Sequence, residues 1–587
     1  MDRTAWIVVT LCVVGLVLWQ VYVAKQMAPS PAPVTGAAGQ ASPTPTPQAA
    51  TVSPSPAAPE ATPKAAEAVP SFPEKIETLR NSDVELRLTN RGGAIKEAIL
   101  LKQMAEKGQR VILNSDQSPP IGAIIEQPSS PVLPEFTASA VSNDGVHFER
   151  TTNEQVTIRK KFFFEKSLEN KDNYVIEMDV DLENRGPKPY QNTGYFVALG
   201  AAAPIHAKDY PTFTRLTWCI QGRAKGVDVG WFGASGGFLG IGQRAARPYY
   251  EENLAGAEWV AVSNQFFTTL MAPLTASATG VWGRGFDIEH APDQKLLGIE
   301  GALRMPGFEL QPGQTYSARF EIYAGPKLYH RLAQLPHNEA EIMNFSSFTI
   351  LKLICEFLLN FLNLLHSWLG NYGLAILALT TIVKLTLWPI QNKANRSMQR
   401  MALLSPKVQE LRDKYKDDPT RMNQEMMKLY KLYGINPVSG CLPMMIQIPI
   451  FFGLFTMLGQ AVELRNATFL WVKDLSQPDT LFFVPGLGWI PIFGIPGLGL
   501  PVNILPILMG ATNVWLLRMT PKTGDPTQRR LMLFMPLIFL LFCYNFAAAL
   551  ALYYTAQNLF SILQFWHNKR QPPPTLEKVS PEGKRKR

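Results

Sequence analysis

Two rhythms of hydrophobic and polar residues divide this chain. Between Ile76 and Tyr323, apolar positions alternate with polar ones in short runs separated by turn residues. "DVELRLTNRGGAIKEAILL" reads as a strand, an Asn-Arg-Gly-Gly turn and a second strand, and "VTIRKKFFFEKS" and "NYVIEMDVDLENRG" alternate in the same way. A period of two suits half-buried strands, and the spacing of these runs predicts an antiparallel β-sandwich over 74–330. Beyond about residue 345 the alternation gives way to long apolar runs, which predict membrane helices.

The apolar runs differ in their polar interruptions. In 345–369, Lys352, Glu356, Asn360, Asn363 and Ser367 recur at helical spacing on one face, with Leu353, Ile354, Phe357, Leu358, Phe361 and Leu365 opposite. That pattern predicts an amphipathic helix lying in the membrane interface; a full span is the alternative. Residues 371–390 predict a span. The polar stretch 391–439 predicts a helical hairpin, one helix starting at Ser405-Pro406 and a second at Asp418-Pro419, because each pair joins an N-cap residue to a proline suited to the first turn. Further spans are expected at 440–461 and 501–518, with an apolar Pro/Gly-rich loop at 462–500 between them. Residues 531–566 carry no formal charge. As one helix they would extend about 54 Å, well beyond a ~30 Å hydrocarbon core, so two spans are expected at 531–546 and 548–566.

At the other end, residues 4–24 are uncharged and long enough to cross a bilayer, so 1–27 reads as a transmembrane anchor, a cleaved signal peptide being the alternative. Residues 28–73, rich in Pro, Ala, Ser and Thr, read as a linker that cannot bury a core. The expected fold is a β-sandwich domain joined to an α-helical transmembrane core of six spans in all.

Charge adds orientation. The formal net charge is +9, and 391–439 holds ten Lys/Arg against five Asp/Glu. With six spans, this hairpin, the basic stretch 518–530 and the tail 567–587 fall on one side, which the positive-inside tendency makes cytoplasmic and the β-domain extracytoplasmic. Of the five cysteines only Cys219 lies in the β-rich half, so that half has no internal disulfide. His147, His206 and His290 are scattered singly, and no acid–base constellation, Cys/His metal pattern or GxxxxGK[ST] phosphate loop occurs. No catalysis and no cofactor is expected.

One residue breaks the apolar pattern. Lys384 is the only formally charged residue in 371–390, 440–461, 501–517 and 531–566. A charge in mid-membrane costs about 2.5–3.5 kcal/mol on insertion scales. Its side chain either snorkels to the cytoplasmic interface, about 9 Å along the helix, or faces a wet cavity where a ligand supplies the acid. Thr380 lies one turn away, and Gln447, Asn513, Asn545, Gln557 and Asn558 supply neutral polar groups on other spans.

"NPVSGCLPMMIQIPIFFGLF", with Asn436, Pro437, Gly440, Pro443 and Pro449, resembles the third-span motif of the YidC/Oxa/Alb membrane-insertase family, Gram-negative YidC type. "NYGLAILALTTIVKLTLWPI", "PILMGATN" and "LYYTAQNLFSILQ" are similar to its neighbouring spans in order, and "YAGPK" (323–327) resembles the end of its periplasmic domain. The resemblance implies a periplasmic β-supersandwich and a hydrophilic groove open to cytoplasm and lipid. It implies that Lys384, Thr380, Gln447, Tyr553 and Tyr554 line that groove. Lys384 stands where the family commonly has Arg, which keeps charge without the bidentate fork. "NFAAAL" replaces a usual Pro-Ser-Gly turn, and Asn545 stands where Trp is frequent. The implied function is insertion and chaperoning of nascent membrane proteins in the bacterial inner membrane, with the C-terminus cytoplasmic. The Sec translocon, the ribosome (through the basic hairpin and tail) and the bilayer are implied partners, with no small-molecule substrate. A secondary transporter or channel would need coupling carboxylates in the spans. A carbohydrate enzyme or binding module on the β-domain would need a site not evident in the sequence.

Overall fold

The structure is a computed structural model that describes residues 72–576, apart from 106–107, 116–117, 129–132, 143–144, 166–172, 207–208, 235–243, 292–293, 344, 346–347, 436–441, 491–492, 495–498, 521–525, 573 and 575. The expected anchor and linker, Asn436, Pro437 and Gly440 lie outside the described residues, except that the linker's last two positions fall within them.

The alternation of the first half becomes sheet. Strand Val175–Asn184 buries Met178, Val180 and Leu182 while the residues between them stay half-exposed. On that outer side Asp179 accepts from Arg319 and Asp181 from Ser317 on the neighbouring strand, so opposite-charge and polar pairs finish the face that the core does not use. In spatial order, one nine-stranded antiparallel sheet runs Arg223–Asp228, Arg215–Ile220, Trp259–Ser263, Phe267–Pro273, Thr315–Pro326, Val175–Asn184, Val156–Phe164, Gly145–Thr151 and Thr137–Ser142. A five-stranded sheet faces part of it, and a four-stranded meander begins the domain. Trp218, Trp259, Phe162 and Phe320 are fully buried among them. The predicted Asn-Arg-Gly-Gly turn is present between Val84–Thr89 and Ala94–Met104. Gly92 and Gly93 have φ of 76° and 53°, and a Cβ on Gly93 would approach Phe136 Cγ to 2.8 Å, so both its backbone and its space call for glycine.

The apolar runs become seven helices among the described residues: α1 (Thr349–Leu369), α2 (Tyr372–Lys414), α3 (Pro419–Leu432), α4 (Leu442–Gln460), α5 (Ile504–Met519), α6 (Pro526–Cys543) and α7 (Ala548–Lys569). Helix α1 ends on Gly370 at φ 66°, and Asn371 then opens α2, its side chain accepting from Leu374 N at 3.2 Å. A single short loop supplies the start of two other helices. Asp479 Oδ2 accepts from Leu505 N at 2.7 Å, while the carbonyls of Gln477 and Leu475 accept from Ala548 N and Ala549 N, so amides with no partner in the first turns of α5 and α7 are satisfied. Helix α7 packs against α2, α4 and α5.

The structure differs from expectation at Ser405-Pro406. No helix begins there: α2 is continuous for 43 residues, with Pro389 and Pro406 inside it. Pro406 forfeits one backbone bond, but Leu404, fully buried, clusters with Tyr433 and Ile435, and Lys407 donates to Tyr433 at 2.5 Å. Tertiary packing against the segment after α3 thus outweighs the local stop signal. At the second site Asp418 caps α3 through Arg421 N at 3.0 Å, with Pro419 in its first turn.

Helix α1 carries three faces rather than two. Cys355, Leu358, Leu359, Leu362 and Leu365 are buried, whereas Ile350, Leu353, Phe357, Leu364 and Trp368 are exposed. On the polar side Lys352 pairs with Glu341 and Asn363 donates to Glu463.

The two halves are joined at the base of the β-domain. Gln265 Nε2 donates to Gly459 O at 2.7 Å, and Lys327 Nζ donates to Gln460 Oε1 at 3.2 Å, both at the end of α4. Arg465, just beyond, lies over the rings of Phe266 and Phe267 and donates to Met104 O at 3.0 Å.

Candidate functional site

Lys384 sits in the seam between α2 and α7, and it is buried, 6% exposed. Its side chain does not run out along α2 to an interface. The ammonium donates across the seam to Ser561 Oγ at 2.9 Å. Ser561 Oγ donates in turn to Gln557 O, and Gln557 Oε1 accepts from Gln447 Nε2 of α4 at 2.8 Å. Gln447 also lies within reach of the Tyr553 hydroxyl. The result is a chain of neutral polar groups ending in one cation, and among the described residues no carboxylate pairs with Lys384.

Other positions expected beside Lys384 have different surroundings. Thr380 is buried on the preceding turn, but its hydroxyl bonds to its own helix at Ile376 O, 2.7 Å away. Tyr553 is buried at 2% exposure. Tyr554, about 100° further round α7, packs edge-on against Phe451 and tilted against Phe539. Pro449 lies in the interior of α4, on an exposed side, and Pro443 lies in the first turn. The seam thus gathers Lys384, Gln447 and Tyr553; it leaves Thr380 bonded within α2 and Tyr554 in an aromatic cluster.

Further polar contacts lie along the same seam. Gln564 Nε2 donates to Asn392 Oδ1 at 2.8 Å, and Asn568 Nδ2 donates to the same oxygen at 3.0 Å. Arg396 and Gln571 continue the contact. These residues were legible: Gln557, Ser561, Gln564 and Asn568 recur at steps of four, three and four, and Lys384, Trp388, Asn392 and Arg396 at steps of four. Gln557 stands out there as a neutral polar group on a span; Ser561, Gln564 and Asn568 carry no charge to mark them. Chemically, such a seam can hydrate a polar chain and attract an anion.

The β-domain contains acidic groups with perturbed ionisation. Burial pushes Glu321 and Glu339 up to about 7. Glu339 is fully buried, with one oxygen bonded to His337 N, so no substrate reaches it. Cys219 is likewise buried, and its thiol is pushed up by desolvation and by Glu258. Among the described residues no group of three or more His, Cys, Asp or Glu is placed to hold a metal.

Residues 77–355 match the family model described as YidC periplasmic domain, and residues 364–574 match the one described as 60Kd inner membrane protein. The membrane protein insertase YidC of Pelobacter propionicus is 31% identical over 526 residues, covering 84% of this chain and 88% of that protein. The membrane protein insertase YidC of Syntrophobacter fumaroxidans is 38% identical over 316 residues; the match spans about half of each, 53% of this chain and 53% of that protein. A crystal structure titled as an active YidC insertase with the first transmembrane domain resolved is 18% identical, with 85% of this chain and 95% of that chain covered at a TM-score of 0.33.

Proposed function

The chain belongs to the YidC membrane protein insertase family, and on that premise we propose that it inserts and chaperones integral membrane proteins in the bacterial inner membrane. The observation that carries this reading is Lys384: a buried cation whose bonding partner is a neutral hydroxyl, at the end of a polar chain running between helices. In this reading six spans cross the membrane, the β-domain is periplasmic, and the helical hairpin of 391–439 and the basic tail are cytoplasmic. Thr380, Gln447, Tyr553 and Tyr554 face the client together with Lys384, and Pro443 and Pro449 lie in α4 beside them.

The energetics follow from the client. Its apolar segment partitions into lipid by the hydrophobic effect, which needs no nucleotide. The barrier lies in the polar flank that must cross. When α2 and α7 part, the amides and hydroxyls of the seam replace part of that flank's water. Lys384 then exchanges Ser561 for a passing carboxylate. Opposite charges at 4 Å gain about 4 kcal/mol at an effective dielectric near 20, more than a neutral hydroxyl provides. The basic hairpin and tail suit contact with a ribosome, and the Sec translocon suits the role of partner for multi-span clients.

The test is insertion of a single-span client into liposomes containing the purified chain, read by protease protection. Lys384→Arg is expected to retain activity. Lys384→Glu is expected to lose insertion of clients with acidic translocated tails while sparing neutral ones. Equal insertion of acidic tails by Lys384→Glu and the unaltered chain would sink the electrostatic role.

A further inference from the structure

The loop between α4 and α5 carries a second apolar surface, unrelated to the seam. Strands Thr480–Val484 and Leu500–Asn503 pair as a hairpin, closed by Thr480 Oγ1 donating to Asn503 Oδ1 at 2.7 Å. No residue from Thr480 to Leu517 is formally charged, so the hairpin continues without a charge into α5. Leu481 is 49% exposed, Phe482 56% and Trp489 76%. A water-facing hairpin normally puts charge at such positions.

The hairpin is fixed in place. Tyr544, in the turn between α6 and α7, donates to Pro501 O at 2.7 Å, Asn503 Nδ2 donates to Tyr544 O at 2.8 Å, and the Phe493 ring meets Tyr544 edge-on at 4.9 Å. It therefore sits level with the α6–α7 turn, where the helical core ends. Ser561 lies thirteen residues along α7 from Ala548, about 20 Å away at 1.5 Å per residue, so a client flank held at Lys384 is not what covers this surface.

We propose that this hairpin is a lipid-facing anchor, with Leu481, Phe482 and Trp489 set into the headgroup–acyl boundary of the outer leaflet. The inference rests on the reading of α5, α6 and α7 as spans. Three features specify lipid as the partner. The hairpin runs directly into α5, where Ile507, Leu508, Val514 and Trp515 are exposed. It lacks charge, and it presents an indole, the ring that partitions to membrane interfaces. A two-stranded hairpin has open backbone edges, which the hydrated boundary tolerates and the hydrocarbon centre does not, so the anchor lies at the boundary and does not cross.

The experiment labels the full chain with 5-fluorotryptophan in nanodiscs of phosphatidylethanolamine and phosphatidylglycerol. Trp489→Phe and Trp515→Phe assign the two fluorine lines. Nitroxide-labelled lipid and a water-soluble gadolinium chelate then act as separate broadening agents. The expected result is that the Trp489 line loses most of its intensity to the nitroxide lipid and little to the chelate. Loss to the chelate alone overturns the proposal in favour of a water-facing loop. Loss to neither overturns it in favour of a protein cover, such as residues 4–24, a client or a second copy. Trp515 separates the premise from the inference. If its line also ignores the nitroxide lipid, the spanning reading of α5 has failed; if it responds and Trp489 does not, the anchor alone is wrong.

Discussion

The Lys384 ammonium donates to the Ser561 hydroxyl at 2.9 Å, joining α2 to α7 across 177 residues of chain. This bond gives the buried charge a partner without cancelling it, because serine offers a lone pair and no negative charge. Interhelical bonds in membranes contribute about 1 kcal/mol, reaching about 2 when the alternative is an unmet polar group. A double-mutant cycle on Ser561→Ala and Lys384→Met is expected to give a coupling energy in that range, measured by thermal unfolding in detergent. Ser561→Ala alone should lower stability more than the double variant does, since it strands the ammonium. A coupling energy of zero would mean that the ammonium finds water instead.

Lys160 leads to a pH prediction in the β-domain. Its side chain is inside the sandwich, with Nζ donating to Gly92 O at 2.8 Å and Gly122 O at 2.9 Å, and burial pulls its pKa down to about 7. The unfolded chain binds that proton up to about pH 10.5, whereas the folded chain releases it near 7. Between those values the unfolded state holds more protons, so the domain gains stability as pH rises, by a few kcal/mol over the window (about 1.4 per unit), and nothing further is gained above it. Lys160→Met is expected to flatten this rise while costing stability above pH 10, where it leaves two carbonyls unbonded. Hydrogen exchange of 156–164 in the full chain, followed from pH 7 to 10, reads both effects after correction for intrinsic exchange.

Much of the architecture was legible in local pattern. The alternation in 175–184 is the alternation of burial in that strand, and the charge-free run of 531–566 breaks near Asn545 into α6 and α7. Two kinds of feature were not legible. "VTIRKKFFFEKS" reads as an alternating strand with nothing to mark Lys160 as buried, because the carbonyls that hold it come from turns 68 and 38 residues away. Pro406 reads as a helix start, yet α2 runs through it, because the stabilising contact comes from Tyr433 and Ile435. In each case a distant partner overrides a local preference. The α2–α7 seam is different: its spacing is present in the sequence, but the face of α7 that meets α2 carries amides and a hydroxyl in place of a charge.

Arg465 should be the residue on which attachment of the two halves most depends. It is 7% exposed, lies over Phe266 and Phe267, and donates to Met104 O. Burial holds its guanidinium below the usual arginine range. Arg465→Ala removes a charged hydrogen bond and two ring contacts, a loss of about 2–3 kcal/mol at the joint. The expected outcome is faster proteolysis near Met104 and between residues 327 and 349, with the fold of each half retained. Unchanged cleavage would show that Gln265 and Lys327 at the end of α4 suffice.

Gly373 makes the sharpest packing prediction. A Cβ there would lie 2.1 Å from Phe469 Cγ and 2.2 Å from Cδ2, so the first turn of α2 approaches the ring more closely than any other residue type permits. Phe469 cannot retreat freely, because its backbone is bridged in both directions to Val472. Gly373→Ala is therefore expected to destabilise the helical half by about 1–3 kcal/mol despite alanine's better helix propensity, which by itself would add about 1 kcal/mol in the opposite sense. The sign decides between the two effects, and the ring tests the cause. In Gly373→Ala with Phe469→Ala, the ring contacts are gone, and the cavity of the lost ring remains together with the Cβ of residue 469, 2.6 Å from the added one. The double variant should then be more stable than the sum of the two single losses, measured by thermal unfolding of the full chain in detergent. Strict additivity would mean that the backbone at Gly373, and not the ring beside it, sets the requirement for glycine.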